Sequence, residues 1–351
     1  MDISEILKEA ILQKSSDLFI IPGATIQVKS EGKLKPLFEK KIMPSDSSMW
    51  IDQIYKIADR DKETLEKSGD DDFSFAIPSL GRFRCNAYKQ RGSFACVVRV
   101  VPFGLPDPEQ MEILPSILEL ANTKNGMVLV TGPAGSGKST TLACLIDRIN
   151  ENKGGHIITL EDPIEFIHSH KRSLISQREI SLDTKDYAAA LRAALRQTPN
   201  VILLGEMRDF ETIQTAISAA ETGQLLLSSL HTLGAAKTID RIIDAFPPNQ
   251  QSQIRVQLSM VLKAVVSQQL IPGEDGKLHP AFEIMIVTPA IANLIREGKI
   301  FQINNVIHTS KEQGMISMDD SIAELVRNKI VSKEKALGFV QDPIAFQRKV
   351  R

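Results

Sequence analysis

The chain is short of cysteine, of aromatic residues, of net charge and of long apolar runs, and each shortage removes a class of protein. Its three cysteines, Cys85, Cys96 and Cys144, form no C-x-x-C pair, so neither a disulfide framework nor a zinc ribbon is expected, and the reducing cytosol is the simplest home. One tryptophan, three tyrosines and a formal net charge of −1 do not suit a protein that grips nucleic acid through a basic, aromatic-lined groove. No apolar stretch approaches the ~20 residues that span a bilayer. The opening MDISEILKEAILQK places acids where an export signal has a basic end, so no such signal is expected. Membrane association is therefore expected only through a partner. Repeats and low-complexity tracts are missing too. What remains, 42% hydrophobic and 24% charged residues over 351 positions, is the composition of a globular protein too long for one ordinary core.

The strongest positive signal is MVLVTGPAGSGKSTT, Met127 to Thr141. A five-residue apolar strand runs into G-x-x-x-x-G-K-[ST] and then into a helix-compatible stretch reaching about Asn150, the context that a phosphate-binding loop needs. Glycines let the backbone curl so that successive N–H groups face one anion, and the helix N-terminus adds partial positive charge. Gly132, Pro133, Gly135, Ser136, Gly137, Lys138, Ser139 and Thr140 are accordingly the expected nucleotide-binding set. Lys138 reaches the β- and γ-phosphates and Ser139 ligates Mg²⁺, which makes ATP and Mg²⁺ the expected cofactors.

Upstream of this loop, Ile3, Ile6, Leu7, Ala10 and Ile11 recur at helical spacing, suiting a docking helix or one packed on its own domain. Short strands at Leu18 to Ile21 and Ile26 to Lys29 precede a turn at Glu31-Gly32, and the pattern is helical from Ser45 to Lys67, with Ser45 or Asp46 as the N-cap. Further strands run from Phe73 to Ile77 and from Arg82 to Val101, the latter a hairpin turning near Gln90-Arg91-Gly92. This mixture implies a small α+β domain. Arg82, Arg84, Arg91 and Arg99 lie on or beside the hairpin, either as solvated surface residues or as phosphate contacts lent to a neighbouring subunit. PFGLPDP, residues 102–108, reads as a linker, dividing the chain into domains 1–104 and 105–351.

The second domain alternates strand and helix, which implies a mainly parallel sheet covered on both faces. Ligands of such sheets sit beyond the carboxyl ends of the strands. Four strand ends carry the candidates. Met127 to Thr131 leads into the phosphate loop, Gly155 to Leu160 ends in Glu161-Asp162, Val201 to Leu204 in Gly205-Glu206, and Gln224 to Leu230 in His231. Glu161 can orient and deprotonate water or hold a metal's water shell, while Asp162 before Pro163 equally fits a helix cap. Glu206 is the acid left where a Walker B strand usually has aspartate at the position of Gly205. His231 is either a γ-phosphate sensor or a satisfied structural histidine. Beyond these come a helix from Pro248 to about Val265, strands from Val266 to Ile271 and Ala281 to Val287, and AIANLIREGK, Ala290 to Lys299, an amphipathic helix ended by glycine.

Together, GPAGSGKST, TLEDPIEF, HKRSLISQREI, ALRAALRQTPNVILLGEMRDFETI, AAETGQLLLSSLHT and AIANLIREGK resemble the hexameric secretion ATPases of type II secretion and type IV pili, most of all the pilus retraction ATPases. The resemblance implies a PAS-like α+β domain followed by a RecA-like P-loop ATPase domain. It implies Glu161 as the water-polarising base, Glu206 as an atypical Walker B acid touching magnesium, His231 in a histidine box, and Lys138 on the phosphates. Arg84 and Arg99, with Arg91 as a further candidate, match the arginines that reach the nucleotide at a subunit interface. AIANLIREGK matches a motif that retraction needs beyond hydrolysis. A homohexamer acting on an inner-membrane pilus platform protein, at the cytoplasmic face of the pilus base and without direct nucleic-acid contact, is the implied assembly. Gln224 in place of the family's histidine, and Asp17-Leu18-Phe19 in place of Asp-Leu-His, are departures. An accessory retraction paralogue, a secretion or DNA-uptake ATPase, a RecA-like nucleic-acid motor and a regulator with an inactive ATP site are the competing readings.

Overall fold

Spacings of three and four along the first helix, and alternation along the strands after it, turn one side of each early element toward a shared core. The computed structural model describes residues 2–30, 33–101 and 104–350. It divides into two units, Met1–Gly104 with Glu165–Ile167, and Leu105–Ile164 with His168–Arg351. In the first unit the helices are α1 (Ile3–Leu12), α2 (Pro44–Ile57) and α3 (Glu63–Ser68), and the strands are β1 (Asp17–Ile20), β2 (Thr25–Ser30), β3 (Lys33–Lys41), β4 (Asp70–Ile77), β5 (Gly81–Gln90) and β6 (Ser93–Val101). The strands form an antiparallel sheet in the order β3-β2-β1-β6-β5-β4. Ile3, Ile6, Leu7 and Ala10 of α1 are buried with Trp50, Ile51 and Ile54 of α2, so α1 packs on its own unit.

One expectation is refined here and another changes. The stretch from Ser45 to Lys67 is two helices, because Asp59 turns into a left-handed φ of 48° after α2. Neither Ser45 nor Asp46 is the cap. Met43 holds that position, and Asp46, three residues on, accepts the Met43 N–H at 2.8 Å. Strand β3 carries only one buried side chain, Leu37, and is rich in lysine with a proline, as suits a sheet edge that must not recruit another strand. The turn at Glu31-Gly32 and the Pro102-Phe103 part of the linker lie outside the described residues.

In the second unit a short helix α4 (Pro115–Leu118) precedes β7 (Gly126–Thr131), α5 (Lys138–Asn152), β8 (Gly155–Glu161), β9 (Ser173–Glu179), α6 (Tyr187–Ala194), β10 (Val201–Leu204), α7 (Phe210–Glu221), β11 (Leu225–Leu230), α8 (Ala235–Asp244), α9 (Pro248–Val261), β12 (Leu262–Pro272), β13 (Leu278–Ile286) and α10 (Pro289–Glu297). The sheet order is β13-β12-β7-β11-β10-β8-β9, parallel except for β12 with β13. Every residue of β7, β10 and β11 is buried, since helices cover both faces and leave no polar side. Two apolar clusters lie on opposite faces, one with α6 to α10 and the other with α4 and α5.

Helix α9 stops at Val261, four residues before its expected end, and Leu262 already pairs in β12 beside β7. The apolar Leu262, Val265 and Val266 fit a buried helix or a buried strand equally, so pattern could not place that boundary. Helix α10 follows Thr288, whose hydroxyl accepts from the Ile291 N–H at 3.3 Å, and ends at Gly298 with φ 73°. Ile291 and Ile295 are core residues, and Leu294 is partly buried against them. A polar residue at Ile295 would therefore test folding rather than coupling. Among the described residues no helix is long and apolar enough to cross a membrane, and the three cysteines are free and buried.

Candidate nucleotide site

Because β7, β8, β10 and β11 run parallel, the chain leaves all four at the same edge of the sheet. Beyond β7 the loop of residues 132–137 turns into α5 through Gly135 and Gly137, whose φ values of 75° and 86° favour glycine. Gly132 is glycine for a different reason. A Cβ there would lie 2.2 Å from the Gln268 carbonyl oxygen and 2.7 Å from Ser136 Oγ, so β12 closes on the start of the loop. Lys138 is 8% exposed, and its ammonium donates to Gly132 O at 3.0 Å and Pro133 O at 2.9 Å.

The hydroxyls of Ser136 and Thr131 are buried without a hydrogen-bond partner among the described residues. Unpartnered donors beside a helix N-terminus and a buried ammonium fit a phosphate chain. Ser139 is partly exposed in the first turn of α5, and Glu206 lies beyond β10. No group of three or more histidine, cysteine, aspartate or glutamate side chains that could hold a metal occurs among the described residues. A magnesium ion, which is commonly bound by one or two protein groups plus phosphate oxygens, fits that sparse donor set.

His231 is exposed and bridges two of these residues. Its Nδ1 lies 3.5 Å from Lys138 Nζ and its Nε2 lies 3.4 Å from Glu206 Oε2. An ammonium facing Nδ1 places the imidazole proton on Nε2, toward the carboxylate. Glu206 is 9% exposed and its Oε2 also receives Arg208 Nε at 2.7 Å, a partner that strand patterning does not reveal. Glu161 closes β8, and Gln177 on β9 points its Nε2 at Glu161 Oε1 from 3.4 Å. The Gln177 amide orientation follows from its other end, where Oε1 accepts the His168 N–H at 2.8 Å. Asp162 caps no helix, because the residues after it are irregular up to β9.

Gln268 was not legible as a site residue either. It is buried on β12, one position past the Ser267–Thr131 register, and its Oε1 accepts from Thr141 Oγ1 at 2.8 Å. Its Nε2 would meet a Cβ on Gly137 at 2.8 Å. The available signal is Ser267-Gln268-Gln269, three polar residues in the middle of a largely apolar, mostly buried strand.

A cavity of about 270 Å³ opens beside Gly137 and Thr140, walled by Met111, Ile113, Leu270 and Pro280. At its rim His279 Nδ1 is 3.0 Å from Glu112 Oε2, and Nε2 is 3.1 Å from Asp275 Oδ1. Burial alone would lower the His279 pKa, but the hydrogen bonds to Glu112 and Asp275 outweigh it and raise the value above the usual 6.5. A raised folded pKa contributes stability that is complete below 6.5 and lost as pH rises through the folded value. His279→Gln should therefore lower the urea midpoint at pH 6 and leave it unchanged at pH 9. An equal loss at both values would show that charge plays no part.

Two arginines of the first unit stand side by side across the sheet. Arg84 on β5 lies directly opposite Arg99 on β6, and Arg99 opposite Asp17 on β1. Like charges side by side repel. Two aspartates offset that repulsion, Asp72 accepting from Arg84 Nε at 3.0 Å and Asp17 from Arg99 Nε at 2.9 Å. Arg91 is exposed at the hairpin turn with φ 47°.

A phosphate loop after an interior strand of a largely parallel sheet, with acids and a histidine on other strand ends, defines a RecA-like P-loop nucleotide-binding protein. The chain belongs to the Type II/IV secretion system protein family, whose model matches residues 1–280. It is 42% identical over 337 residues, 96% of this chain and 97% of the relative, to the type IV pilus retractation ATPase PilT of Pseudomonas aeruginosa. It is 43% identical over 336 residues, 95% and 89% of the two chains, to a twitching motility protein of Neisseria gonorrhoeae. A crystal structure of the pilus retraction motor PilT with bound ADP matches with a TM-score of 0.92 at 42% identity, covering 99% of each chain.

Proposed function

We propose that this protein is the subunit of a homohexameric motor that hydrolyses ATP to retract a type IV pilus. The observation that carries the reading is the gathering of Lys138, Glu161, Glu206 and His231 at one sheet edge, in a chain similar over nearly its whole length to proteins named for retraction and twitching. In this reading the amides of residues 132–137 and Lys138 hold the phosphates, with Gly132, Pro133, Gly135, Ser136, Gly137, Ser139 and Thr140 forming the cradle. Glu161 takes a proton from the water that attacks the γ-phosphorus, and ADP departs with the bridging oxygen. Glu206 and Ser139 would hold Mg²⁺, which supplies positive charge to the phosphate oxygens. His231, between Lys138 and Glu206, reports on the terminal phosphate.

The hairpin arginines complete the charge balance from a neighbouring copy. A lone subunit leaves the developing γ-phosphate charge only partly neutralised. Arg84 and Arg99, preset by Asp72 and Asp17, and Arg91 at the turn are the residues assigned to that task. The first unit is read as PAS-like, and work would pass to an inner-membrane platform protein at the cytoplasmic face of the pilus base. Deleting the gene should abolish twitching and leave pili accumulated on the cell surface. The wild-type gene should restore motility and a Lys138→Ala copy should not. A deletion strain that still retracts its pili would reassign the chain to an accessory, secretion or DNA-uptake role.

A further inference from the structure

Strand β9 is an edge of the second sheet, yet it carries a side chain that touches the group assigned to proton transfer. In the parallel β8–β9 pair Thr159 stands beside Gln177 and Glu161 beside Glu179, so Gln177 and Glu161 project from the same face. One end of the Gln177 amide is already committed, because its Oε1 accepts the His168 N–H at 2.8 Å. The segment between β8 and β9 is held a second time where Glu179 Oε2 accepts the Ile164 N–H at 2.9 Å, so both anchors come from β9. Turning the Gln177 amide over would set its NH₂ against the His168 N–H, donor against donor. Nε2 is therefore the end that faces Glu161, 3.4 Å from its Oε1. That is the long end of the hydrogen-bonding range, and bonds of this kind tighten when substrate is in place.

We propose that Gln177 is a positioning residue for hydrolysis: its amide, locked by the His168 N–H, donates to Glu161 Oε1 and so sets the direction in which the other carboxylate oxygen meets the attacking water. This rests on the reading of Glu161 as the base. The last torsion of a glutamate side chain is broad, so a carboxylate without a fixed donor spreads its oxygens over many directions. Holding one oxygen narrows that spread, and the base spends more of its time aligned with the water. The same bond favours the ionised carboxylate, the form that can take a proton. Both effects act on the chemical step and leave nucleotide binding as it is.

Gln177→Met fills much the same space without an amide. In steady-state assays on the full chain with Mg²⁺ and ATP, kcat should fall about tenfold, the scale of a modest loss of alignment, while KM and the Kd for ADP stay within about twofold. Methionine also gives up the His168 N–H, so Gln177→Glu is the companion variant. It keeps an acceptor for that N–H and has no hydrogen for Glu161, and its kcat should fall at least as far. A cycle with Glu161→Gln completes the test, because aligning a group that no longer takes a proton gains nothing. Adding Gln177→Met in that background should change the residual single-turnover rate by less than about twofold. Wild-type kcat in either Gln177 variant overturns the proposal. So does an equal loss in both backgrounds, or a loss that comes with weaker ADP binding, since each is the signature of a structural amide. Glu161→Gln alone separates the two levels. If it is slow and the Gln177 variants match wild type, only the role of Gln177 is wrong. If it turns over at the wild-type rate, the assignment of Glu161 as the base fails and this proposal fails with it.

Discussion

Lys138→Ala should reduce phosphate release from ATP by about a thousandfold or more, the scale expected when a preorganised charge is removed from a water-poor phosphate site. Lys138 is 8% exposed, so its charge is weakly screened, and the Gly132 and Pro133 carbonyls that it meets belong to the loop that carries it. Those carbonyls hold the lysine over the cradle without neutralising it. An arriving phosphate chain can take its charge at little cost in rearrangement. Alanine leaves the φ angles of Gly135 and Gly137 untouched, and the first turn of α5 is still anchored through Thr141 and Gln268. The fold should therefore survive, with a melting temperature near wild type. ADP affinity should fall much less than turnover, because the backbone amides remain. A purified Lys138→Ala protein with a wild-type rate would remove Lys138 from the mechanism.

The parts of this molecule that were legible in its sequence are those where local pattern and tertiary environment demand the same residues. The phosphate loop is one, because strand, glycines and helix are contiguous. The placement of Glu161, Glu206 and His231 at strand ends is another, because apolar runs such as Val201–Leu204 can be read directly as buried parallel strands. Of the four edge strands, β4 and β13 were legible and β3 and β9 were not. Strand β3 buries only Leu37, and two of the three side chains that β9 buries, Ser173 and Glu179, are polar, so neither shows the apolar alternation that announces a strand. Contacts made across the sheet were also hidden. Gln268 and Gln177 are distant in sequence from the groups they contact, Thr141 and Glu161, and each looks like an ordinary core or surface residue until β12 and β9 are set beside their neighbours. Asp162 shows the opposite error, a local cap signal with no helix behind it.

Glu161→Gln should separate binding from chemistry more cleanly than any other change at the site. The substitution keeps the length and planarity of the side chain, and its amide can still meet Gln177 Nε2 through its oxygen. What it loses is the ability to accept a proton. Positioned general bases contribute on the order of 10²–10⁴ in rate, so kcat should drop by about a thousandfold. Nucleotide affinity should remain within about threefold, because the cradle sits beyond β7 while Glu161 closes β8. ATP should then accumulate uncleaved on the enzyme, measurable as labelled ATP retained through a desalting column. Glu206→Gln is the contrasting case. It weakens the ion pair with Arg208 and the contact with His231, and it removes a proposed magnesium ligand, so ATP retention should fall along with turnover. If Glu161→Gln loses ATP retention as completely as Glu206→Gln, Glu161 belongs to the binding of the metal or phosphate and the base must be sought elsewhere. If it turns over at the wild-type rate, proton acceptance by this carboxylate is not part of the reaction.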